Sequence, residues 1–224
     1  APIPETEGDG MRRIESEDDI AAGLAALADL DPRLAAVIAR AGPVPLRRRP
    51  PGFEGLARII VAQQISVSAA TAIWTRFAAL VDPLDPARLL AATAEDLRGA
   101  GLSAPKVRTL RAISEAIVAG AVDLEQVAGY APEEAHRVMT AISGVGPWTA
   151  DIFLLFCAGH PDIWPGGDLA LQHAVRIAFA MEARPAEKPC RAIAEAWSPW
   201  RGVAARLFWA YYAAVKEGRD TLPA

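Results

Sequence analysis

Through most of the chain, apolar side chains return every third or fourth position with polar residues between them. That spacing gathers the apolar groups on one face of a helix, which then packs inward. Ser16 stands as an N-cap before IAAGLAALADL, and Asp31-Pro32 opens PRLAAVIARAG. After a break at LRRRPPG (46–52) come FEGLARIIVAQQIS and AATAIWTRFAALV. AEDLRGAG, APKVRTLRAISEAIVAG, PEEAHRVMTAI and WTADIFLLFCAG follow. LALQHAVRIAFAM, a short helix near 186–197 and a final helix from Pro199 to about Glu217 complete the series. No stretch alternates with period two for the length of a strand, and Pro and Gly fall between the periodic runs. The pattern predicts an all-α fold of about ten helices with short loops. Residues 1–14, rich in Pro, Gly and charge, read as a flexible tail before a folded domain at 15–224.

Composition narrows the class. The 224 residues, 52% of them hydrophobic, can bury a sizeable core. No apolar run reaches the roughly 18 to 20 residues of a membrane span. The acidic start lacks the apolar stretch of a secretory signal, so a soluble, cytoplasmic protein is expected. Cys157 and Cys190 are too few for a disulfide framework and read as buried thiols. His136, His160 and His173 lack metal-ligand spacing and read as surface or core residues. A net charge of −4 argues against coating nucleic acid by bulk charge, yet permits a local basic face. Only three of the 23 basic residues are lysines: Lys106, Lys188 and Lys216.

The candidate chemistry begins at ISGVGPWTAD (142–151). Gly144 suits a left-handed cap for the helix before it, and Val145 can tuck under the turn. Gly146 leaves no Cβ, and Pro147 fits the first turn of a new helix. The free N–H groups of that turn, reinforced by the helix dipole, suit a phosphodiester. A tight structural turn would look the same. AGLSAPKVRTL (100–110) echoes the shape of SGVGPWTADIF (143–153). Asp168, after WPGG, reads locally as an N-cap, a role compatible with a fixed, ionised carboxylate. Gly166 and Gly167 would leave room for a sugar beside it.

These motifs carry a resemblance. ISGVGPWTAD followed by WPGGDLALQHAVR (164–176), with Asp168 22 residues after Gly146, resembles the helix–hairpin–helix DNA glycosylase superfamily. IIVAQQIS (59–66) and WSPWRGVAARLFW (197–209) are similar to segments of the DNA-3-methyladenine glycosylase II family. The resemblance runs from about residue 50 to 215 and looks like a short form lacking a β-rich N-terminal domain.

The resemblance implies two helical lobes around a DNA-binding cleft, roughly 54–160 in one and the N- and C-terminal helices in the other. It implies that Asp168 stabilises an oxocarbenium-like sugar and directs water at it. Trp148 stands where lyase-competent relatives hold a Schiff-base lysine, so a monofunctional enzyme is expected. Trp148, Trp209 and Ile152 would line the base pocket, and an indole face attracts a cationic alkylated base. Taken alone, both tryptophans read more readily as core residues. Ile152 replaces a tyrosine found in some relatives. Gly144, Val145, Gly146, Thr149, Gln63, Gln64 and Lys106 would contact DNA. Gln64 would fill the gap left by the flipped base, with Gln63 beside it; locally they are also two polar residues at a helix end. Arg201 would pair with a carboxylate, and Arg47, Arg48 and Arg49 form either a DNA contact or a solvated run.

No organic cofactor and no side-chain metal site are expected; a structural Na or K ion on the hairpin carbonyls of Ile142 and Gly144 is allowed. The expected partner is double-stranded DNA with alkylated bases of the 3-methyladenine or 7-methylguanine type, bound by a monomer at the nucleoid of a bacterium. Two other readings stay open: a non-catalytic damage-recognition protein, and a glycosylase for another lesion such as hypoxanthine.

Overall fold

The computed structural model describes residues 13–216. Among them the chain forms thirteen α-helices and one short 3-10 turn. In order these are α1 (Glu17–Leu30), α2 (Leu34–Ala41), α3 (Phe53–Ala62), α4 (Val67–Leu80), α5 (Pro86–Ala91), α6 (Ala94–Gly99) and α7 (Ala104–Val118). Then come α8 (Leu124–Val127), α9 (Pro132–Thr140), α10 (Pro147–Phe156), α11 (Leu169–Ala178), α12 (Glu187–Ala194) and α13 (Arg201–Val215). The all-α expectation holds. The extra helices are α5 and α8, of six and four residues, too short to show a period.

Caps account for many of the boundaries. Ser16 and Asp19 form a capping box on α1, and Thr93 with Asp96 forms another on α6. Ser66 caps α4 by accepting from the Ala69 N–H at 3.3 Å. The second helix opens at Leu34 rather than at Pro32 because Asp31 does other work. Its buried carboxylate accepts from Arg33 and, at 3.0 Å, from Trp197 Nε1. These bonds, Arg33's foremost, hold Asp31 down at about 2.

Two packing centres emerge. α13 lies against α1, α2 and α11. α3 lies against α4, α7 and α10, and α9 packs on α10. α10 reads PWTADIFLLF, apolar nearly all round, and is buried from Thr149 to Phe156. Arg206 is fully buried in α13 and spends its guanidinium on carbonyls of Leu155, Gly202 and Leu46. Burial pulls its pKa down to about 9.

The expected tail ends earlier than residue 14. Ile14 is fully buried and donates its N–H to the Gly159 carbonyl at 2.7 Å. Arg13 reaches the Ala158 carbonyl. The rest of that tail, 1–12, and the last residues, 217–224, lie outside the described residues.

His160 sits in the same region, 1% exposed. Its Nδ1 accepts from the Asp162 N–H at 3.0 Å, which places the proton on Nε2. Burial first, and the Arg13 charge second, push its pKa down to about 4. The unfolded chain therefore binds a proton there that the folded chain refuses between pH about 6.5 and about 4. His160 costs no stability above that window and progressively more as the pH falls through it. Thermal unfolding across this range should show a steeper acid loss for wild type than for His160→Gln. Equal slopes would mean that His160 titrates normally.

Candidate active site

The helix α9 ends in a turn in which the Val145 N–H donates to the Ile142 carbonyl at 3.0 Å. Gly144 has φ +87°, and a Cβ there would collide with Thr109 Oγ1 of α7. Glycine is therefore required at 144 by both backbone and packing. The echo holds in this respect, since Gly101 before α7 has φ +105°. Gly146 is different. Its φ of −92° suits any residue, and a Cβ there would meet nothing within 4 Å. Nothing inside the protein asks for glycine at 146. The open approach leads to the first turn of α10, where Pro147 lacks an N–H and those of Trp148 and Thr149 precede the helical ladder.

Asp168 is the N-cap of α11. Its Oδ1 accepts from the Leu171 N–H at 3.0 Å and from Trp209 Nε1 at 3.2 Å. Its Oδ2 accepts from Trp148 Nε1 at 2.9 Å. The carboxylate is half-buried. Three donors from α10, α11 and α13 thus fix its plane, and Oδ2 keeps a lone pair for another partner. Behind it, the Asp168 N–H donates to the Pro165 carbonyl at 2.8 Å, and Gln172 Nε2 to the Gly166 carbonyl at 2.7 Å.

The tryptophans therefore do not stand as two open stacking faces. Trp209 is fully buried, with its ring 5.7 Å from that of Phe156. Ile152 is fully buried as well, one turn deeper into α10 than Trp148. Of the expected pocket wall only Trp148 is partly exposed. Gly166 does not make room for a sugar; a Cβ there would strike Arg191 Cγ. At Gly167 the nearest atom is a carboxylate oxygen of Glu187, 3.4 Å from an added Cβ. The two glycines admit side chains of α12.

The expected DNA contacts divide. Gln64 is exposed with φ +59°, and Ile65 beside it is 38% exposed. Gln63 instead points inward, its Nε2 donating to Thr149 Oγ1 at 2.9 Å. Thr149 and Val145 are buried, so only their backbone could meet a ligand. Lys106 is committed internally: its Nζ donates to the carbonyls of Val61 and Gln63, both at 2.7 Å. It caps the C-terminus of α3, where a cation meets the dipole's negative end. Burial lowers its pKa.

A second network was not anticipated. Asp151, 2% exposed, pairs with His136 at 2.8 Å and with Arg191 at 3.1 Å. Arg191 also donates to the Trp164 carbonyl at 2.7 Å, tying α12 and the WPGG loop to α10. Asp151 is the only charge in α10, and a lone carboxylate in an apolar helix must find partners. That was the signal available. Arg201 does pair with a carboxylate, Asp162, through two bonds of 2.8 and 2.9 Å.

The model of the HhH-GPD superfamily, base excision DNA repair proteins, matches residues 57–199. DNA-3-methyladenine glycosylase 1 of Schizosaccharomyces pombe is 29% identical over 161 residues, 70% of this chain and 71% of that protein. A solved structure of the 3-methyladenine DNA glycosylase of that yeast, in complex with abasic DNA, superimposes with a TM-score of 0.78 at 26% identity. The match covers 90% of this chain and all of that one. A DNA-3-methyladenine glycosidase from Bacillus halodurans gives 0.73 at 30% identity, over 93% of this chain and 95% of that one.

The Lys106 geometry is testable. Lys106→Met leaves two carbonyls without their cation and should cost about 1–3 kcal/mol. At this chain length each kcal/mol lowers the melting temperature by roughly 2–4 °C. The salt dependence of duplex binding should not change. An unchanged melting temperature with weakened duplex binding would return Lys106 to the DNA surface.

Proposed function

Because the chain belongs to the HhH-GPD superfamily of base excision DNA repair proteins, we propose that it is a monofunctional DNA glycosylase that removes alkylated bases from duplex DNA. One observation carries this reading: a half-buried carboxylate at a helix N-terminus, held by two indole N–H groups and one backbone N–H. The names of its relatives supply the substrate class, 3-methyladenine and similar lesions.

In this reading the duplex lies against the α9–α10 hairpin between two lobes, and the open side of Gly146 admits a phosphodiester to the α10 N-terminus. The target base leaves the stack, and Gln64 enters its place. As the N-glycosidic bond stretches, positive charge grows on the sugar. Asp168 faces that charge, already oriented and needing no rearrangement. Its free Oδ2 lone pair accepts a proton from, or aligns, the attacking water. A base alkylated at N3 or N7 is already cationic and departs without a strong acid. Trp148 supports this by hydrogen-bonding to Asp168, and its partly exposed ring faces the cationic base. With no amine in place of Trp148, no Schiff base forms and the DNA backbone stays intact. The protein acts as a cytoplasmic monomer in this reading. A Na or K ion would be held by the neutral carbonyls of Ile142, which already accepts from the Val145 N–H, and Gly144, and would only brace the turn.

Base release from methylated duplex DNA, with alkali to reveal abasic sites, tests the mechanism. Asp168→Asn should lose on the order of 10²-fold or more, and wild-type product should break only after alkali. Wild type that binds the damaged duplex but releases nothing would instead make it a damage-recognition protein. Gly146→Ala separates the hairpin's two roles. It should leave the melting temperature within about 1 °C, since a surface change without strain costs little, yet weaken duplex binding severalfold. Equal loss of stability would mark the hairpin as merely structural.

A further inference from the structure

The two helices that meet at Asp168 continue outward side by side, and the seam between them is cationic. α11 packs along α13. On α11, Leu169, His173 and Arg176 follow at intervals of four and three; on α13, Trp209, Tyr212 and Lys216 follow at three and four. That spacing puts each trio on one face of its helix. Trp209 bonds to Asp168. One turn further out, the His173 ring lies nearly parallel to that of Tyr212, with 6.1 Å between centroids. Lys216 Nζ stands 5.7 Å from the centre of the same Tyr212 ring. A third cation comes from the segment after α11. Arg184 donates to Gln172 Oε1, and Gln172 Nε2 donates to the Gly166 carbonyl in the loop that carries Asp168.

These charges are not spent inside the fold. Among the described residues, Arg176, Arg184 and Lys216 make no ion pair, and the one hydrogen bond, from Arg184, goes to a neutral amide. That bond places the guanidinium without neutralising it. Arg184 and Lys216 are exposed and Arg176 is partly so. Glu182, the acid next to them in sequence, is exposed and pairs with none of them. His173 senses the result: burial lowers its pKa, and the charges of Arg184, Arg176 and Lys216 lower it further. Helix dipoles account for part of the arrangement, since Arg176 lies in the last turn of α11 and Lys216 caps α13. They do not account for Arg184, nor for three cations gathered around one ring. Like charges brought together repel until an anion with several acceptor oxygens joins them.

The position says which anion. The seam starts at the carboxylate that would meet the sugar, and Leu169, the next residue, is 61% exposed. Arg176 lies eight residues beyond Asp168, which at the helical rise is about 12 Å along α11. A duplex strand advances about 3.4 Å per nucleotide. A strand whose flipped nucleotide stands at Asp168 and that follows the seam therefore brings its phosphates to Arg176 about three to four nucleotides away.

We propose that Arg176, Arg184 and Lys216 form a track for the DNA backbone, taking phosphates of one strand about three to four nucleotides from the flipped base. The track rests on the DNA-binding reading but not on catalysis. Anisotropy of a duplex with one central abasic site, which sets the register, would be followed against NaCl. The proteins are wild type, Arg176→Gln, Arg184→Gln, Lys216→Gln, the triple variant and a control, Arg88→Gln, exposed on α5. Each seam substitution should lower the slope of log K against log salt by about one, and the triple variant should bind at least about tenfold more weakly near 0.1 M salt. Cutting the duplex to about two base pairs beyond the abasic site on one side should erase the difference between wild type and the triple variant; cutting the other side should keep it. Should Arg184→Gln disturb the Gln172 bond and fail to fold, Arg176→Gln and Lys216→Gln carry the test. A triple variant that matches Arg88→Gln in affinity and slope overturns the track and leaves these cations to the helix ends, as a lower melting temperature would then show. So does a slope loss that survives both truncations, for the charges would then act as a diffuse field and not on placed phosphates. Base release by wild type from methylated duplex is scored separately. A slope loss without base release keeps the track and removes the glycosylase; wild type that binds no duplex removes both.

Discussion

The grip of two indole N–H groups on one carboxylate organises this molecule. Trp148 comes from the hairpin helix, Trp209 from the last helix, and Asp168 from the start of a third. Each bond is to a charged acceptor and outweighs a neutral one, at about 1.5–3 kcal/mol. Together they join α13 and its neighbours to α10 and its neighbours, beside the Arg206 bond to the Leu155 carbonyl. A carboxylate so held cannot turn to follow a substrate. The substrate must be brought to it, which is the condition for electrostatic stabilisation without reorganisation. The same grip explains why Trp209 is buried. An indole that orients the acid has its edge on the carboxylate and its face against Phe156.

The surface that would bring DNA to Asp168 is set by a second chain of bonds. Lys106 holds the end of α3, and Gln63 bridges from there to Thr149 in α10. The loop carrying Gln64 is thereby placed relative to the hairpin by side chains that themselves stay inside. Arg191 does the corresponding work on the far side, joining α12, the WPGG loop and Asp151. Polar residues near the site mostly position the backbone. Few of them are left to touch a ligand.

That division decides what was legible in the sequence. The long helices were, because their periodicity is local. α5 and α8 were not, being one or two turns long. Asp168 was legible because its N-cap signature survives whether or not it is catalytic. Lys106 was misassigned because its partners, Val61 and Gln63, lie more than forty positions away, and a lysine beside a Gly-Pro turn looks alike in either role. Trp209 and Ile152 were read as lining the base pocket, yet both are fully buried, and Trp209 meets Asp168 through its N–H edge. Burial is a tertiary property, and the spacing that puts a residue beside a site does not say which side of it faces water. The glycines before Asp168 were read as space for a sugar, when the space belongs to α12.

Arginine is the other thread, with only three lysines among 23 basic residues. Arg48 and Arg206 donate to carbonyls at helix ends, while Arg191 and Arg201 clamp carboxylates. A guanidinium suits these crosslinks because its planar fork makes several bonds at once and tolerates burial better than an ammonium. Much of the basic complement is thereby spent inside the fold, and net charge says little about what the surface offers. An acidic protein of this construction approaches DNA through few, placed charges. Its affinity should then depend on where those charges sit rather than on how many the chain contains.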